Sequence, residues 1–335
     1  MIKISQIGAG EWGKNLIRTF SSLPNCKMNM VCDQNPDVVQ SLTDQYHGRI
    51  RGTLDLNEIF DDAETQGVII ASLPDTHAAL AMRALESGKH VFVEKPLALN
   101  ISDAHKMIEL SEKYKKILMV GHLLLYHPAI RELKAYIESG QLGDIYYLYS
   151  TRVNLGRIRT VENALWSLTT HDISVSMYLL EQLPIEVTAT GSAYLKENVE
   201  DVVFVNLRFK NEVISHIHAS WLDPHKVRKF TIVGSKQMAV FDDMEASGKL
   251  RFYDKGVERQ KSGETYETFL TLRHGDIHIP WIDMREPLKL ECQHFIDCIE
   301  LGKEPVSGAK NGLDVLKVLS AAQESLECYG KPIKI

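Results

Sequence analysis

Short apolar runs alternate with amphipathic segments over the first part of the chain, up to about residue 121. The predicted strands are Lys3–Ile7, Met28–Cys32, Gly67–Ala71, His90–Val93 and Ile117–Val120. Apolar residues recur every three or four positions in Ala78–Glu86 and Ser102–Tyr114, which predicts helices there. Strands that alternate with helices indicate an α/β domain, residues 1–121, with a doubly wound parallel sheet.

The pattern changes after Pro128. A predicted helix, Ala129–Glu138, is followed by segments of mostly alternating polarity: Ile145–Val153, Glu186–Tyr194, Val202–Phe209, Val213–Ser220, Lys229–Val233, Met238–Asp242 and Leu250–Tyr253. One helix near Ile173–Leu180 interrupts them, and helices at Pro287–Leu301 and Leu313–Cys328 end the chain. We therefore expect a second domain, residues 122–335, of α+β type on an open, mostly antiparallel sheet, with the C-terminal helices packing back.

Composition narrows the class of protein. The 335 residues carry a net charge of -6 with dispersed basic residues, which gives no reason to expect a nucleic acid partner. No stretch approaches the roughly 20 apolar residues of a membrane span, and no signal region precedes the first strand, so we expect a cytoplasmic protein. The five cysteines lack C-x-x-C spacing, which argues against a disulfide framework.

A glycine-rich turn lies between the first predicted strand and helix, in Gly8-Ala9-Gly10-Glu11-Trp12-Gly13. In such a turn the first glycine permits the sharp bend, the second lets a pyrophosphate approach, and the third lets the helix pack closely. The helix N-terminus then faces the anion. The alternative is a plain connecting turn, but its place in a strand, turn and helix favours a dinucleotide site of Rossmann type.

An acidic residue supports this interpretation. Asp33 ends the second strand, 20 residues after Gly13, where a carboxylate accepts the ribose hydroxyls of adenosine and repels a 2'-phosphate. No Arg or Lys occurs in the following Gln34-Asn35-Pro36. The sequence therefore predicts NAD rather than NADP as cofactor, the alternative being a solvated loop aspartate.

Two further strands end in candidate site residues. Glu94-Lys95-Pro96 follows His90–Val93, and Ser72-Leu73-Pro74 follows Gly67–Ala71, at the sheet edge where ligands bind. Lys95 is a candidate to hydrogen-bond a substrate hydroxyl, or else a solvent-facing lysine before a strand-ending proline. We expect the segment Ser72-Leu73-Pro74 to cover the dinucleotide.

Together these motifs resemble the Gfo/Idh/MocA family of NAD(P)-dependent sugar and cyclitol oxidoreductases. The matching pieces span nearly the whole chain: the glycine turn, Pro74-Asp75-Thr76-His77, Gly88 to Ala98, His127-Pro128-Ala129, Gly140 to Gly143 and His171-Asp172. The resemblance implies that Lys95 lies beside nicotinamide and substrate, and that His171 reaches the reacting hydroxyl. It also implies cofactor contacts for His77 and Glu94.

The chain departs from the family pattern at one position. Many members carry an aspartate four residues before the histidine, where this chain has Ser167. A serine cannot replace the charge of a carboxylate, so the proton chemistry is expected of His171 together with Lys95. The sequence leaves two roles open for Asp172, orienting a partner or capping structure.

A polar segment between the first antiparallel strand and the central helix predicts the substrate. Its candidate substrate-binding residues, which join Lys95 and His171 in that role, are Arg152, Asn154, Arg157, Arg159, Asn163 and Trp166. Guanidinium groups bind phosphate oxygens and a Trp ring stacks on sugars or bases. The alternatives are a solvated basic loop or an oligomer contact.

The segments around Asn154, Asn163, His171 and Trp221 resemble the nucleotide-sugar branch of the family, which includes UDP-N-acetylglucosamine 3-dehydrogenases. The hypothesis is oxidation of a ring hydroxyl, at C3 of a UDP-N-acetylhexosamine, in a route to amino sugars. The rivals are a dehydrogenase or ketoreductase of free sugars or inositol, and a non-catalytic NAD(H) sensor.

Three remaining features concern side chains with structural roles and the assembly of the protein. His216 and His218 share one face of a strand but have no evident third ligand, so we predict no metal site. Lys226, Arg228 and Lys229 are interpreted as a solvated strand edge. The open sheet face implies a homodimer or homotetramer.

Overall fold

The computed structural model describes residues 1–156, 162–261 and 268–335, which fold into two compact units. The first unit contains Met1–His127 and Arg285–Lys317, and the second contains Pro128–Met284 and Val318–Ile335. The first unit thus extends past the predicted boundary at residue 121 and includes a segment from near the C-terminus. None of the described helices is both long and apolar enough to span a membrane.

The helices are α1 (Glu11–Ser21), α2 (Pro36–Gln45), α3 (Leu56–Phe60), α4 (His77–Glu86), α5 (Ile101–Tyr114), α6 (Pro128–Glu138), α7 (Thr170–Leu180), α8 (Pro287–Leu301) and α9 (Ala309–Glu327). The strands of the first unit are β1 (Ile2–Ile7), β2 (Cys26–Cys32), β3 (Arg51–Thr53), β4 (Gly67–Ile70), β5 (His90–Val93) and β6 (Leu118–Val120). Those of the second are β7 (Ile145–Val153), β8 (Glu186–Ser192), β9 (Val202–Arg208), β10 (Ile214–Ser220), β11 (Val227–Gly234), β12 (Met238–Asp242), β13 (Leu250–Lys261), β14 (Thr268–His278) and β15 (Ile333–Lys334).

The first unit is built on a parallel sheet with the strand order β3-β2-β1-β4-β5-β6. This arrangement confirms the predicted doubly wound α/β domain. The order reverses between β1 and β4, and ligands of such sheets bind at the carboxyl ends of the strands beside this reversal. Only the edge strand β3 was not predicted, because its three residues, Arg51-Gly52-Thr53, contain no apolar run.

Three phenylalanines explain why α8 belongs to the first unit. Phe20 of α1, Phe92 of β5 and Phe295 of α8 make mutual edge-on contacts, with ring centroids 5.8 to 6.3 Å apart. All three rings are fully buried. Since a buried Phe contributes several kcal/mol and aromatic pairs favour this geometry, the cluster attaches α8 firmly to the sheet.

The second unit is built on a mixed sheet with the order β14-β13-β12-β11-β7-β10-β9-β8-β15 among the described strands. The pairing is antiparallel except between β7 and β10, which run parallel. The prediction of a mostly antiparallel sheet is therefore confirmed. Strand β13 is longer than predicted and pairs with β14, a strand that was not predicted from the sequence.

The two faces of this sheet differ. On one face Ser215 of β10 is buried and its hydroxyl lies 2.9 Å from that of Ser176 on α7. On the opposite face the side chains of Tyr147, Tyr149 and Phe204 are 45%, 41% and 40% exposed. The Phe204 ring stacks on His218 at 4.6 Å between centroids. Helix α7 therefore covers one face, and aromatic side chains remain exposed on the other.

A π-helical turn, Leu165–Thr169, leads directly into α7. Thr169 and Thr170 donate their hydroxyl hydrogens to the carbonyls of Leu165 and Trp166, at 2.6 and 2.8 Å. Such turns are rare and occur frequently at functional sites. The helix begins at Thr170, three residues before the predicted start, and places His171 in its first turn.

Candidate functional site

The glycine turn after β1 has the geometry of a dinucleotide cradle. Gly8 adopts φ +90°, and a Cβ atom there would lie 2.5 Å from the carbonyl oxygen of Ala71. A Cβ on Gly13 would lie 2.5 Å from the carbonyl oxygen of Gly8, whereas one on Gly10 would meet nothing within 4 Å. The first and third glycines are thus required by close packing, and the second faces open space where a phosphate can approach.

The backbone carbonyls of this turn are held by the side chain of Gln6. The Gln6 side-chain amide donates to the carbonyls of Gly8 and Gly13, at 2.7 and 2.9 Å. Gly10 is the N-cap of α1 and supplies no side-chain cap, and Glu11 begins the helix. The first N–H groups of a helix have no intrahelical partner, so this end suits an anion.

Asp33 connects the glycine turn to the end of β2. Its two carboxylate oxygens accept hydrogen bonds from the backbone N–H groups of Ala9, at 2.7 Å, and Asn35, at 2.9 Å. Each carboxylate oxygen can accept more than one hydrogen bond, so both can still bind ribose hydroxyls. The carboxylate therefore has a structural role in addition to the predicted ribose contact.

The segment after β4 is tied to the end of β5 by His77. Its Nδ1 lies 2.8 Å from the carbonyl oxygen of Pro96, and its Nε2 lies 3.2 Å from that of Ser72. The ring is buried, and burial lowers the pKa of His77, so the neutral form is favoured. Leu73, by contrast, is 71% exposed, and Pro74 begins a short 3-10 helix. His77 thus positions the segment that was predicted to cover the cofactor.

Glu94 links the strand end that carries Lys95 to the glycine turn. The indole N–H of Trp12 donates to Oε1 of Glu94 at 2.5 Å, and the backbone N–H of Lys95 donates to Oε2 at 3.2 Å. The Lys95–Pro96 peptide bond is cis. Because β4 lies between β1 and β5, the indole crosses the carboxyl end of β4. The predicted cofactor residues of the first unit are therefore assembled along one sheet edge.

Burial dominates the electrostatics at this edge. It raises the pKa of Glu94 to about 7, although the Trp12 hydrogen bond and the charge of Lys95 act in the opposite direction. Burial also lowers the pKa of His122 to about 3, and the charge of Lys95 adds to this effect. Among the described residues neither ring nitrogen of His122 has a hydrogen-bond partner.

Glu291 is a second buried acid near Glu94. It lies on α8 with no exposed surface, and its two carboxyl oxygens have no hydrogen-bond partner within the described chain. Burial, followed by the charge of Glu94, raises its pKa well above the ordinary value. Glu291 is not among the residues predicted from the sequence, although it lies on the same helix face as Leu288, Cys292 and Phe295, and an acid at such an apolar position is a usable signal.

In the second unit, His171 and Asp172 occupy the first turn of α7. Asp172 is buried and forms a bidentate ion pair with Arg152 of β7, with Nε–Oδ2 and Nη2–Oδ1 distances of 2.6 and 3.3 Å. Of the two roles left open for Asp172, this pair corresponds to orienting a partner. The pair also occupies part of the Arg152 guanidinium, whose contact with substrate stays a prediction.

The other predicted substrate residues are also held by internal contacts. The Asn163 amide donates to Glu200 and Gln323, at 2.6 and 3.1 Å, and the Trp166 indole donates to the same Gln323 oxygen at 3.1 Å. The Asn154 backbone N–H donates to the Ser220 carbonyl at 3.2 Å. Arg157 and Arg159 lie outside the described residues. Asn163 and Trp166 therefore anchor the start of the π-helical turn to α9.

His216 and His218, on the open face of the second sheet, contact side chains of the neighbouring strand β9. Nδ1 of His216 lies 2.8 Å from the Asn206 side-chain oxygen, and His218 stacks on Phe204. In the described part of the chain, no group of three or more His, Cys, Asp or Glu residues is arranged to hold a metal ion.

Comparison with known proteins gives two family matches. The model for the "Oxidoreductase family, NAD-binding Rossmann fold" matches residues 2–122, and the model for the "GFO/IDH/MocA C-terminal domain" matches residues 130–240. Together they cover more than half of the chain.

Individual relatives differ in the substrate they are named for. The myo-inositol 2-dehydrogenase of Thermotoga maritima is 25% identical over 97% of this chain and 96% of its own length. The UDP-N-acetylglucosamine 3-dehydrogenase GnnA of Acidithiobacillus ferrooxidans has a TM-score of 0.82 at 21% identity, with 98% of each chain covered. GenD2 from gentamicin A biosynthesis, solved in complex with NAD, has a TM-score of 0.83 at 19% identity, covering all of this chain and 96% of its own. The two structural likenesses show a common fold.

Asp33 provides a test of cofactor choice. We expect Asp33→Ala to weaken NAD binding about tenfold or more and to narrow the preference for NAD over NADP, because it removes an acceptor for ribose and the partner of the Ala9 N–H. The dissociation constants of both dinucleotides, measured by fluorescence titration, check this. Asp37→Ala, an exposed acid in the first turn of α2, is the control. A wild-type protein that prefers NADP would contradict the argument.

Glu94 provides a test of the site's electrostatics. Its pKa is raised from an ordinary 4.5 to about 7, so the folded state keeps a proton that the unfolded state has released between these values. Stability therefore decreases as pH rises through this window and levels off above about pH 7. In thermal denaturation from pH 4.5 to 8, Glu94→Gln should lose less stability than wild type as pH rises. Glu86→Gln, an exposed acid on α4, should follow wild type. Parallel curves for wild type and Glu94→Gln would refute the assignment.

Proposed function

Because this chain belongs to the Gfo/Idh/MocA family of NAD-binding oxidoreductases, we propose that it moves a hydride between a sugar ring hydroxyl and NAD, with a nucleotide-sugar as substrate. The observation that carries the proposal is the shared sheet edge, where Trp12 of the glycine turn bonds Glu94 beside Lys95. The finer hypothesis is oxidation at C3 of a UDP-N-acetylhexosamine to a keto sugar.

The residues of the first unit fit NAD. Gly10 leaves open space at the uncapped start of α1, and the Asp33 carboxylate stands at the end of β2, where the adenosine ribose lies in such folds. NAD, when bound, supplies the acceptor for the hydride. The chain's own residues must orient the substrate alcohol and take up its proton.

We assign the proton chemistry to Lys95 and His171. An imidazole changes protonation state near neutrality and suits the removal of a hydroxyl proton. The backbone N–H of Lys95 donates to Glu94, and in this proposal the Lys95 side chain hydrogen-bonds the substrate hydroxyl. Ser167, at the position of the family's usual aspartate, is buried in the π-helical turn and supplies no charge.

The nucleotide-sugar substrate is supported by the arginine-rich segment and by the structural likeness to GnnA. A second candidate, oxidation of inositol, is supported by the Thermotoga maritima relative, which matches along almost the whole chain. Both reactions oxidise a ring secondary alcohol and need the same proton acceptor. They differ in whether the substrate carries a diphosphate.

Measurements of enzymatic turnover distinguish a nucleotide-sugar substrate from inositol and test the roles of Lys95 and His171. We expect His171→Ala and Lys95→Ala to lower kcat about a hundredfold or more, because general-base contributions have that size. His171→Ala should retain wild-type NAD affinity, and His105→Ala, an exposed histidine on α5, should retain full activity. NADH formation is measured with UDP-N-acetylglucosamine and with myo-inositol. Activity on inositol alone would sink the nucleotide-sugar proposal, and unchanged kcat in both variants would sink the mechanism.

The open face of the second sheet supports a homo-oligomer. Tyr147, Tyr149 and Phe204 expose aromatic surface there, and covering such a face with a second copy would bury it. We expect light scattering to give a dimer or tetramer, and Phe204→Glu to shift it towards a monomer. Leu301→Glu, at an exposed position on α8, is the control. A monomeric wild type would contradict this proposal.

A further inference from the structure

Two arginines lie side by side on the helix-covered face of the second sheet. Strands β7 and β11 are antiparallel neighbours, and Arg152 is directly opposite Arg228 in their register. Directly opposed residues project from the same face of a sheet. Since Arg152 pairs with Asp172 on α7, the Arg228 side chain lies on the side of the sheet that α7 covers.

The positive charge at this place is not balanced. Both carboxylate oxygens of Asp172 are engaged by Arg152, at 2.6 and 3.3 Å. Arg228 is partly buried, and its guanidinium has no hydrogen-bond or ion-pair acceptor among the residues that the structure describes. Asp243, whose backbone N–H donates to the Arg228 carbonyl at 2.9 Å, pairs its carboxylate with Lys249 at 3.3 Å. The three basic side chains, Arg152, Arg228 and Lys249, therefore exceed the two acidic ones, Asp172 and Asp243, by one positive charge.

The environment of Arg228 disfavours its charge. Burial lowers the pKa of Arg228 and the neighbouring Arg152 lowers it further, whereas the charges of Asp243 and Asp172 act in the opposite direction. The interpretation of Arg228 as part of a solvated strand edge is wrong, because β11 is an interior strand between β12 and β7. A partly desolvated cation without a partner is costly, and an anionic ligand would remove that cost.

We propose that Arg228 binds an oxyanion of the sugar substrate, beside the Arg152–Asp172 pair and in the same region as His171. A guanidinium binds phosphate or carboxylate oxygens through two parallel N–H donors. Asp172 directly follows His171 in the first turn of α7, so the pair that borders Arg228 also sets the position of that turn. The inference rests on the proposed function and identifies a specificity residue for a charged substrate.

Arg228 could alternatively serve only to stabilise the fold, and the two roles predict opposite effects in the ligand-free protein. Removal of an unpaired, partly buried cation leaves the melting temperature unchanged or raises it, whereas loss of a structural contact lowers it. Lys229 is the matched control, since the next residue along β11 projects from the opposite face and is exposed.

The test measures anion binding to the full-length protein by calorimetry, with saturating NADH present so that the first unit's phosphate site is filled. The probes are UDP, inorganic pyrophosphate and glucuronate. We expect Arg228→Gln to weaken binding of the preferred anion about ten- to a hundredfold, with Arg228→Lys intermediate and Lys229→Gln unchanged. NADH affinity should be the same in all variants.

Each outcome of this test either supports or overturns anion binding by Arg228. Arg228-dependent binding of UDP and pyrophosphate identifies a phosphate as the ligand, and Arg228-dependent binding of glucuronate alone identifies a carboxylate. Anion binding that persists in Arg228→Gln, no anion binding in wild type, or a lowered melting temperature of ligand-free Arg228→Gln overturns the proposal. Binding without oxidation of any sugar would leave this site standing and refute the proposed reaction. Oxidation of UDP-N-acetylglucosamine with no effect of Arg228 on the binding of any anion would refute this site and leave the proposed reaction standing.

Discussion

The close approach of the glycine turn to the end of β4 is the constraint on which the first unit depends. The space that a Cβ of Gly8 would need is occupied by the Ala71 carbonyl, so only glycine permits β1, β4 and α1 to meet at this edge. That approach brings the N-terminus of α1, where Gly10 supplies no side-chain cap, to the carboxyl edge of the sheet. It also allows Trp12 to extend past β4 to Glu94, and so connects the cofactor turn to the strand end that carries Lys95.

The two units treat buried ionisable groups in different ways. In the first unit, burial raises the pKa of Glu291 well above its ordinary value, lowers that of His122 to about 3 and raises that of Glu94 to about 7. In the second unit, the buried Arg152 and Asp172 side chains form a bidentate ion pair with each other. Burial thus shifts the pKa values of these groups towards their neutral forms in the first unit, whereas the buried arginine and aspartate of the second unit pair with each other. The guanidinium of Arg228 has no such partner within the described chain, and for this reason it is proposed to bind an anionic ligand.

Several polar side chains in and beside the segment between β7 and α7 are used in internal contacts. Asn163 and Trp166 use their side-chain donors on Gln323 of α9, and Arg152 uses two of its donors on Asp172. These contacts hold the π-helical turn that precedes His171. If the substrate is a charged sugar, as proposed, its binding requires donors that these contacts do not use, and Arg228 is the residue proposed to supply them.

The sequence by itself determined the order of elements, the doubly wound sheet and the glycine turn with Asp33. Periodicity and backbone requirements are local, and a position that tolerates only glycine is evident from the residue itself. Lys95 and His171 became candidates because strand ends of a parallel sheet meet at one edge and because short motifs resemble a family.

Only the tertiary structure decided which charges are paired and which are buried. Arg152 and Asp172 are 20 residues apart, Trp12 and Glu94 are 82 apart, and their hydrogen bonds depend on the register and packing of distant elements. The short edge strand β3 and the hairpin partner β14 likewise depend on neighbours that a local pattern does not specify. For the same reason Arg228 was interpreted as a strand-edge residue, since exposure is a property of the folded chain and not of its sequence neighbours.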